Sequence, residues 1–296
     1  MGFISVKQFA EKYGVSERTA RNYCEVGKIE GAFLVGKTWN IPAEATLPRR
    51  KKRRKETLLL KALREQKSNN MKGGIYHRVQ VDFAYNTNHI EGSRLTHEQT
   101  RYIFETNTIG GEGEALNVDD IIETANHFRC IDFIIDHAED RLTEAFIKRL
   151  HEILKSGTSD SRKSWFAVGE YKRLANEVGG MQTTQPEDVH DSVKALLDEY
   201  NQKTTHSIED IIDFHQRIEA IHPFQDGNGR VGRLIMFKEC LSAGVVPFII
   251  TDDLKLFYYR GLQEWPRVKG YLLDTCLTAQ DKFKTLLDYF RIKYTH

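Results

Sequence analysis

The 296-residue sequence predicts a mainly α-helical protein: a small helix-turn-helix with a β-hairpin wing, then a large helical domain carrying one short β-hairpin. Three observations carry that prediction. Charge divides the chain, because residues 1–55 hold 13 Lys and Arg against 5 Glu and no Asp, leaving 30 basic and 37 acidic side chains in the other 241 residues. The halves therefore carry +8 and −7 behind an overall +1. Apolar residues recur at three- and four-residue intervals through most of the acidic part, and strand signals are few.

Composition narrows the class. Apolar residues at 40% and charged residues at 29% describe an ordinary soluble globular chain. No apolar run approaches the ~18 residues of a membrane span. The opening Met1–Val6 carries neither a secretory nor a myristoylation pattern, so the expectation is a cytoplasmic protein with no membrane partner. Cys24, Cys130, Cys240 and Cys276 form no Cys-x-x-Cys pair and are expected as reduced, buried thiols.

In the basic head, Ser5 caps a helix with Val6, Phe9, Ala10 and Tyr13 on one face, and Gly14 ends it. Ser16 opens a second helix to about Val26, which exposes Glu17, Arg18, Arg21 and Asn22. Residues 31–42 form a hairpin turning at Gly36-Lys37, the wing. The domain spans 1–48, and the basic run Arg49–Lys55 is a linker or a phosphate-tracking arm. The second domain, 56–296, begins with a helix from about Glu56. Periodicity then predicts helices from Asp119 through Ile135, over 143–154, 186–201, 208–221, 229–243 and 254–262, and over most of 269–294. A hairpin near 176–184 turns on Gly179-Gly180, and the cluster Gly110–Gly113 reads as a loop.

One stretch concentrates chemistry: His222-Pro223-Phe224-Gln225-Asp226-Gly227-Asn228-Gly229-Arg230-Val231-Gly232-Arg233, a loop running into a helix N-terminus. Gly227, Asn228 and Gly229 can take positive φ and bring backbone N–H groups to a ligand. With the helix dipole they make an anion hole for phosphate. Arg230 and Arg233 lie three apart, where both guanidinium groups reach a polyphosphate. Asp226 is a hard carboxylate of the kind that recruits Mg²⁺ alongside phosphate oxygens. His222, with an ordinary pKa of about 6.5, suits a general base. The set implies transfer chemistry on a nucleotide phosphate without a P-loop.

Residues 222–233 match the signature His-Pro-Phe-x-Asp-Gly-Asn-Gly-Arg-x-x-Arg of the Fic family without a departure, and the resemblance extends from about Met71 to about Phe290. It implies a Fic-type helical domain that transfers AMP from ATP to a Ser, Thr or Tyr hydroxyl of a target protein. It also implies His222 as base, Asp226 as the Mg²⁺ ligand, Gly227, Asn228 and Gly229 around the α-phosphate, and Arg230 and Arg233 on the outer phosphates. Val178, Gly179, Gly180 and Met181 resemble the family's flap, whose edge pairs with the target. Tyr258-Tyr259 resembles a pair beside the adenine, although Trp265-Pro266 stands near the point where relatives often carry an Asn. Thr87-Asn88-His89-Ile90-Glu91-Gly92 resembles the family's inhibitory motif, and the resemblance implies an inhibitory helix near 87–92 whose Glu91 pairs with Arg233 and blocks the γ-phosphate. The head resembles the winged helix-turn-helix of excisionase and MerR-type regulators, which implies DNA as a partner of residues 1–55 and a homodimer on paired half-sites. The other readings are a DNA-binding regulator whose second domain only senses ATP, a phosphoryl-transferring relative, and a relative that removes AMP.

Overall fold

The computed structural model describes residues 2–25, 29, 31–47, 56–110 and 115–294. The expected end of the second helix at Val26, the stretch 48–55 and Gly111–Gly113 lie outside the described residues. The chain divides into two compact units, Met1–Lys55 and Glu56–His296.

In the first unit, strand β1 (Phe3–Ser5) leads into helix α1 (Val6–Tyr13), and helix α2 (Glu17–Glu25) follows. Ser5 and Gln8 close a reciprocal capping box, and Gly14 at φ 63° ends α1. Strands β2 (Phe33–Val35) and β3 (Thr38–Pro42) form the hairpin at Gly36-Lys37, and β1 adds to β3, giving the order β1-β3-β2 with antiparallel pairs. The periodicity reading omits β1, which is only three residues long. Phe9, Ala20, Cys24 and Ile41 fill the core of this unit. Glu17, Arg18, Arg21 and Asn22 are exposed along α2.

The second unit is helical: α3 (Leu58–Ser68), α4 (Ile75–Ile90), α5 (His97–Thr106), α6 (Val118–Asp136), α7 (Glu144–Lys155), α8 (Val189–Tyr200), α9 (Ile208–Ile221), α10 (Asn228–Ala243), α11 (Lys255–Glu264) and α12 (Gly270–Tyr289). Its one hairpin joins β4 (Glu177–Val178) to β5 (Met181–Gln182). The mainly α class with a small hairpin is thus the observed one.

Helix α10 is the axis of the unit. Thirteen of its sixteen residues are buried, against α4, α6, α7 and α9. A large core of Leu, Ile and Phe side chains packs on one side, and a second cluster around Met236, Cys240, Tyr258 and Trp265 packs on the other. Burial on this scale is the main stabilising term, at about 1.5–3 kcal/mol per large apolar side chain. The four cysteines are buried and unpaired. Among the described residues no helix is long and apolar enough to cross a membrane.

Candidate active site

The loop 222–227 joins α9 to α10, and three devices close it. His222 itself ends α9 in a left-handed conformation, φ 53°, with its N–H donating to the Ile218 carbonyl at 3.0 Å. Asn228 accepts from the Phe224 N–H at 2.8 Å and donates back to the Phe224 carbonyl at 2.8 Å. His151 of α7 stacks on Phe224 with ring centroids 4.0 Å apart. Its Nδ1 accepts from the Gly169 N–H at 2.9 Å, which leaves Nε2 to donate to the Asp226 carbonyl at 3.1 Å. Burial holds the His151 pKa down at about 3, so this brace stays neutral.

The loop differs from the expected one at two residues. Of Gly227, Asn228 and Gly229, only Gly227 takes positive φ, at 82°; Asn228 and Gly229 already belong to the first turn of α10. The Asn228 side chain is spent on the loop backbone. What it and Gly229 contribute is the helix N-terminus, where the first N–H groups have no partner within the helix and the dipole is positive.

Asp226 sits half-exposed at the rim. Its Oδ2 accepts from Lys155 Nζ at 2.6 Å and from Arg230 at 3.2 Å. Burial alone would raise its pKa, but Arg230 and Lys155 outweigh that and bring it to about 2. Arg230 is buried and also pairs with Glu123 of α6, which accepts from Lys155 as well at 2.5 Å. Lys155 completes its contacts at Asp160, 3.0 Å away. Two buried cations, Lys155 and Arg230, and three carboxylates thus share one edge of the loop.

Arg233, only 3% exposed, points the other way. Its Nε donates to Thr87 Oγ1 at 2.7 Å, and one terminal nitrogen donates to the Thr87 carbonyl at 3.1 Å and to Glu91 Oε1 at 2.5 Å. Thr87 and Glu91 are four apart near the end of α4, so one helix face delivers both. Gly92 follows at φ 99° and releases the chain from the helix. A methyl group on Gly229 would stand 2.3 Å from Glu91 Oε1, so the glycine is what lets the carboxylate reach the helix start.

Beneath Arg233 lies a second buried group. Tyr258 is fully buried, 5.8 Å from the Arg233 guanidinium, and bonds His215 Nε2 through its hydroxyl at 2.7 Å. Glu219 Oε1 is 4.0 Å from His215 Nδ1 and has no hydrogen-bond partner among the described residues. Burial pushes the Glu219 pKa up to about 8, against the pull of Arg233. Of the tyrosine pair, only Tyr259 offers surface, and its hydroxyl donates to the Ile90 carbonyl at 3.3 Å. Burial also lowers the His222 pKa; the Glu219 carbonyl opposes this and Lys172 reinforces it. A neutral imidazole near pH 7 is the form that accepts a proton.

The hairpin β4–β5 pairs Glu177 with Gln182 and Val178 with Met181. Gly179 and Gly180 both take positive φ, 57° and 78°, as a two-residue hairpin turn requires. Val178 is exposed; the Met181 side chain lies outside the described residues. Sequence reading missed Glu123, Lys155, Lys172 and Glu219. They stand on α6, α7, the loop before β4 and α9; the first three are far from the loop in sequence, whereas Glu219 precedes His222 by three residues in the last turn of α9.

A family model described as the Fic/DOC family matches residues 141–240, which contain α7, the hairpin, α9 and most of α10. "Protein adenylyltransferase fic-1" of Caenorhabditis elegans is 27% identical over 189 residues, covering 61% of this chain and 35% of that protein. "Protein adenylyltransferase Fic" of Nematostella vectensis is 28% identical over 189 residues, 61% of this chain and 42% of that protein. The chain therefore spans well under half the length of either relative. The crystal structure of a Fic domain containing signaling protein from Bacteroides thetaiotaomicron superposes with a TM-score of 0.61 at 24% identity, over 77% of this chain and 94% of that one, a likeness of fold. With the loop, α10 and the hairpin in place, the chain carries a Fic/DOC domain and has Fic protein adenylyltransferases as homologues.

Proposed function

We propose that the chain is a protein adenylyltransferase that moves AMP from ATP to a hydroxyl of a target protein and is held inactive by Glu91. The observation that carries this reading is the 2.5 Å pair of Glu91 with Arg233 beside the His222 loop. It places a carboxylate where a phosphate anion would otherwise take the guanidinium.

In the reaction, His222 accepts the proton of the target hydroxyl as its oxygen bonds the α-phosphorus. The bond from that phosphorus to the bridging oxygen breaks, and pyrophosphate leaves with the electron pair. The N–H groups opening α10 take the α-phosphate charge, and Arg230 and Arg233 take the outer phosphates. Val178, Gly179, Gly180 and Met181 register the target main chain at the hairpin edge. Tyr259 is the member of the tyrosine pair open to an adenine ring. Asp226, whose carboxylate accepts from Lys155 and Arg230 here, is the residue that would hold Mg²⁺, and the ion would supply neutralisation of phosphate charge.

For residues 1–55 we propose DNA binding, supported by the net charge of +8 and the exposed Arg18 and Arg21 on α2.

The test is incubation of the Glu91→Gly protein with ATP and Mg²⁺, followed by mass spectrometry of the protein itself. An adenylyl adduct that disappears in Glu91→Gly/His222→Ala is the expected result. A phosphoryl adduct, or adenylylation unchanged by loss of His222, overturns the proposal.

A further inference from the structure

Lys172 is an unusual buried cation. It lies in the loop before β4, is 3% exposed, and every acceptor around its ammonium is neutral. Nζ donates to Asn176 Oδ1 at 2.8 Å, to Thr183 Oγ1 at 2.6 Å and to the Ile221 carbonyl at 3.5 Å. Burial brings its pKa down to about 8, with no carboxylate among the described residues offsetting the cost. For stability alone a neutral side chain would be cheaper at such a place.

The three acceptors have a common meaning. Asn176 and Thr183 are the residues at the two ends of the β4–β5 hairpin, bonded to each other through the Thr183 hydroxyl and Asn176 Oδ1 at 2.6 Å. The Ile221 carbonyl belongs to the peptide bond that carries the His222 N–H. The backbone continues the link: Lys172 N–H donates to the Pro223 carbonyl at 2.8 Å, Asn176 Nδ2 to the Phe224 carbonyl at 3.3 Å, and Leu174 N–H to Gln225 Oε1 at 3.2 Å. Both ends of the hairpin are thereby fastened to the loop on either side of His222.

We propose that Lys172 is a positioning residue for the transfer reaction, tying the hairpin that registers the target to the loop that bears the base. This rests on the reading of His222 as general base and of the hairpin as the target-registering flap. The groups bearing on the His222 imidazole are the Lys172 ammonium, which disfavours the imidazolium, and the Glu219 carbonyl, Glu91 and Asp226, which favour it. Removing Lys172 leaves only the groups that favour protonation, apart from burial.

The experiment uses the full chain without nucleotide, so it does not depend on AMP transfer. The His222 titration is followed by NMR, assigned by comparison with His222→Asn, and hydrogen exchange is measured at the amides of residues 177–183. Lys172→Met is expected to move the His222 midpoint upward and to speed exchange of the hairpin amides at least about tenfold. Thr183→Val, which removes one acceptor and keeps the charge, is expected to speed that exchange and leave the midpoint in place. It also serves if the Met variant fails to fold. A Met variant with an unmoved midpoint, or exchange at the parental rate in either variant, overturns the proposal. Failure of Glu91→Gly to adenylylate would instead sink the functional reading and leave these two measurements standing.

Discussion

Replacing Glu91 by Gly removes the only carboxylate bonded to Arg233 among the described residues and leaves the guanidinium buried with Thr87 Oγ1 and the Thr87 carbonyl as its acceptors. Burial disfavours the Arg233 charge and Glu91 is the first group that offsets it. A hydrogen bond to a charged group contributes about 1.5–3 kcal/mol. Breaking a fully buried pair costs about 3–5 kcal/mol. The Glu91 side chain is 30% exposed, and two acceptors remain on Arg233, so the lower range applies, about 2 kcal/mol. For a domain of this size that lowers the unfolding temperature by about 4–8 °C. The same free energy no longer opposes a phosphate at Arg233, so ATP affinity rises about 30-fold, at about 1.4 kcal/mol per decade. Thermal unfolding with and without MgATP, together with titration calorimetry, reads both effects. The variant should unfold earlier alone and gain more from ATP than the parent does. Unchanged ATP affinity, within about twofold, would refute the reasoning, because the pair would then be no obstacle to the nucleotide.

Two further outcomes follow from the same geometry. Glu219 keeps its proton to about pH 8 in the folded protein and releases it near its ordinary 4.5 when unfolded, so its contribution is full below pH 4.5 and is lost as pH rises toward 8. Glu219→Gln should therefore show a smaller fall in the urea midpoint between pH 5 and pH 8 than the parent, and equal falls would contradict a neutral carboxyl. For the first unit, Arg18→Ala and Arg21→Ala should each weaken binding to duplex DNA and lower the slope of log affinity against log salt by about one; a salt-independent parent would end the DNA proposal.

Helices whose one face is buried were legible from the sequence: α9 occupies 208–221 and α10 begins one residue before the expected start. Helix α5 was not, and of α4 only its end was expected, as a helix near 87–92. Twelve of the sixteen residues of α4 are buried, polar ones such as Gln80, Asn86 and Asn88 among them, so it carries no clean apolar stripe. Short strands such as β1 acquire their identity from a partner, here β3, rather than from alternation within three residues.

The site divides along the same line. A loop and the first turns of one helix carry residues 222–233, so their proximity was a property of the sequence itself, as was the i,i+4 spacing of Thr87 and Glu91. Which way each side chain spends its hydrogen bonds was decided only in three dimensions. Asn228 turned inward to the loop backbone, Tyr258 sank beneath Arg233, and Glu123, Lys155 and Lys172 arrived from separate elements. The reason is physical: charge and burial act through distance in space, and buried polar groups take whichever partners the packing of distant helices brings within reach.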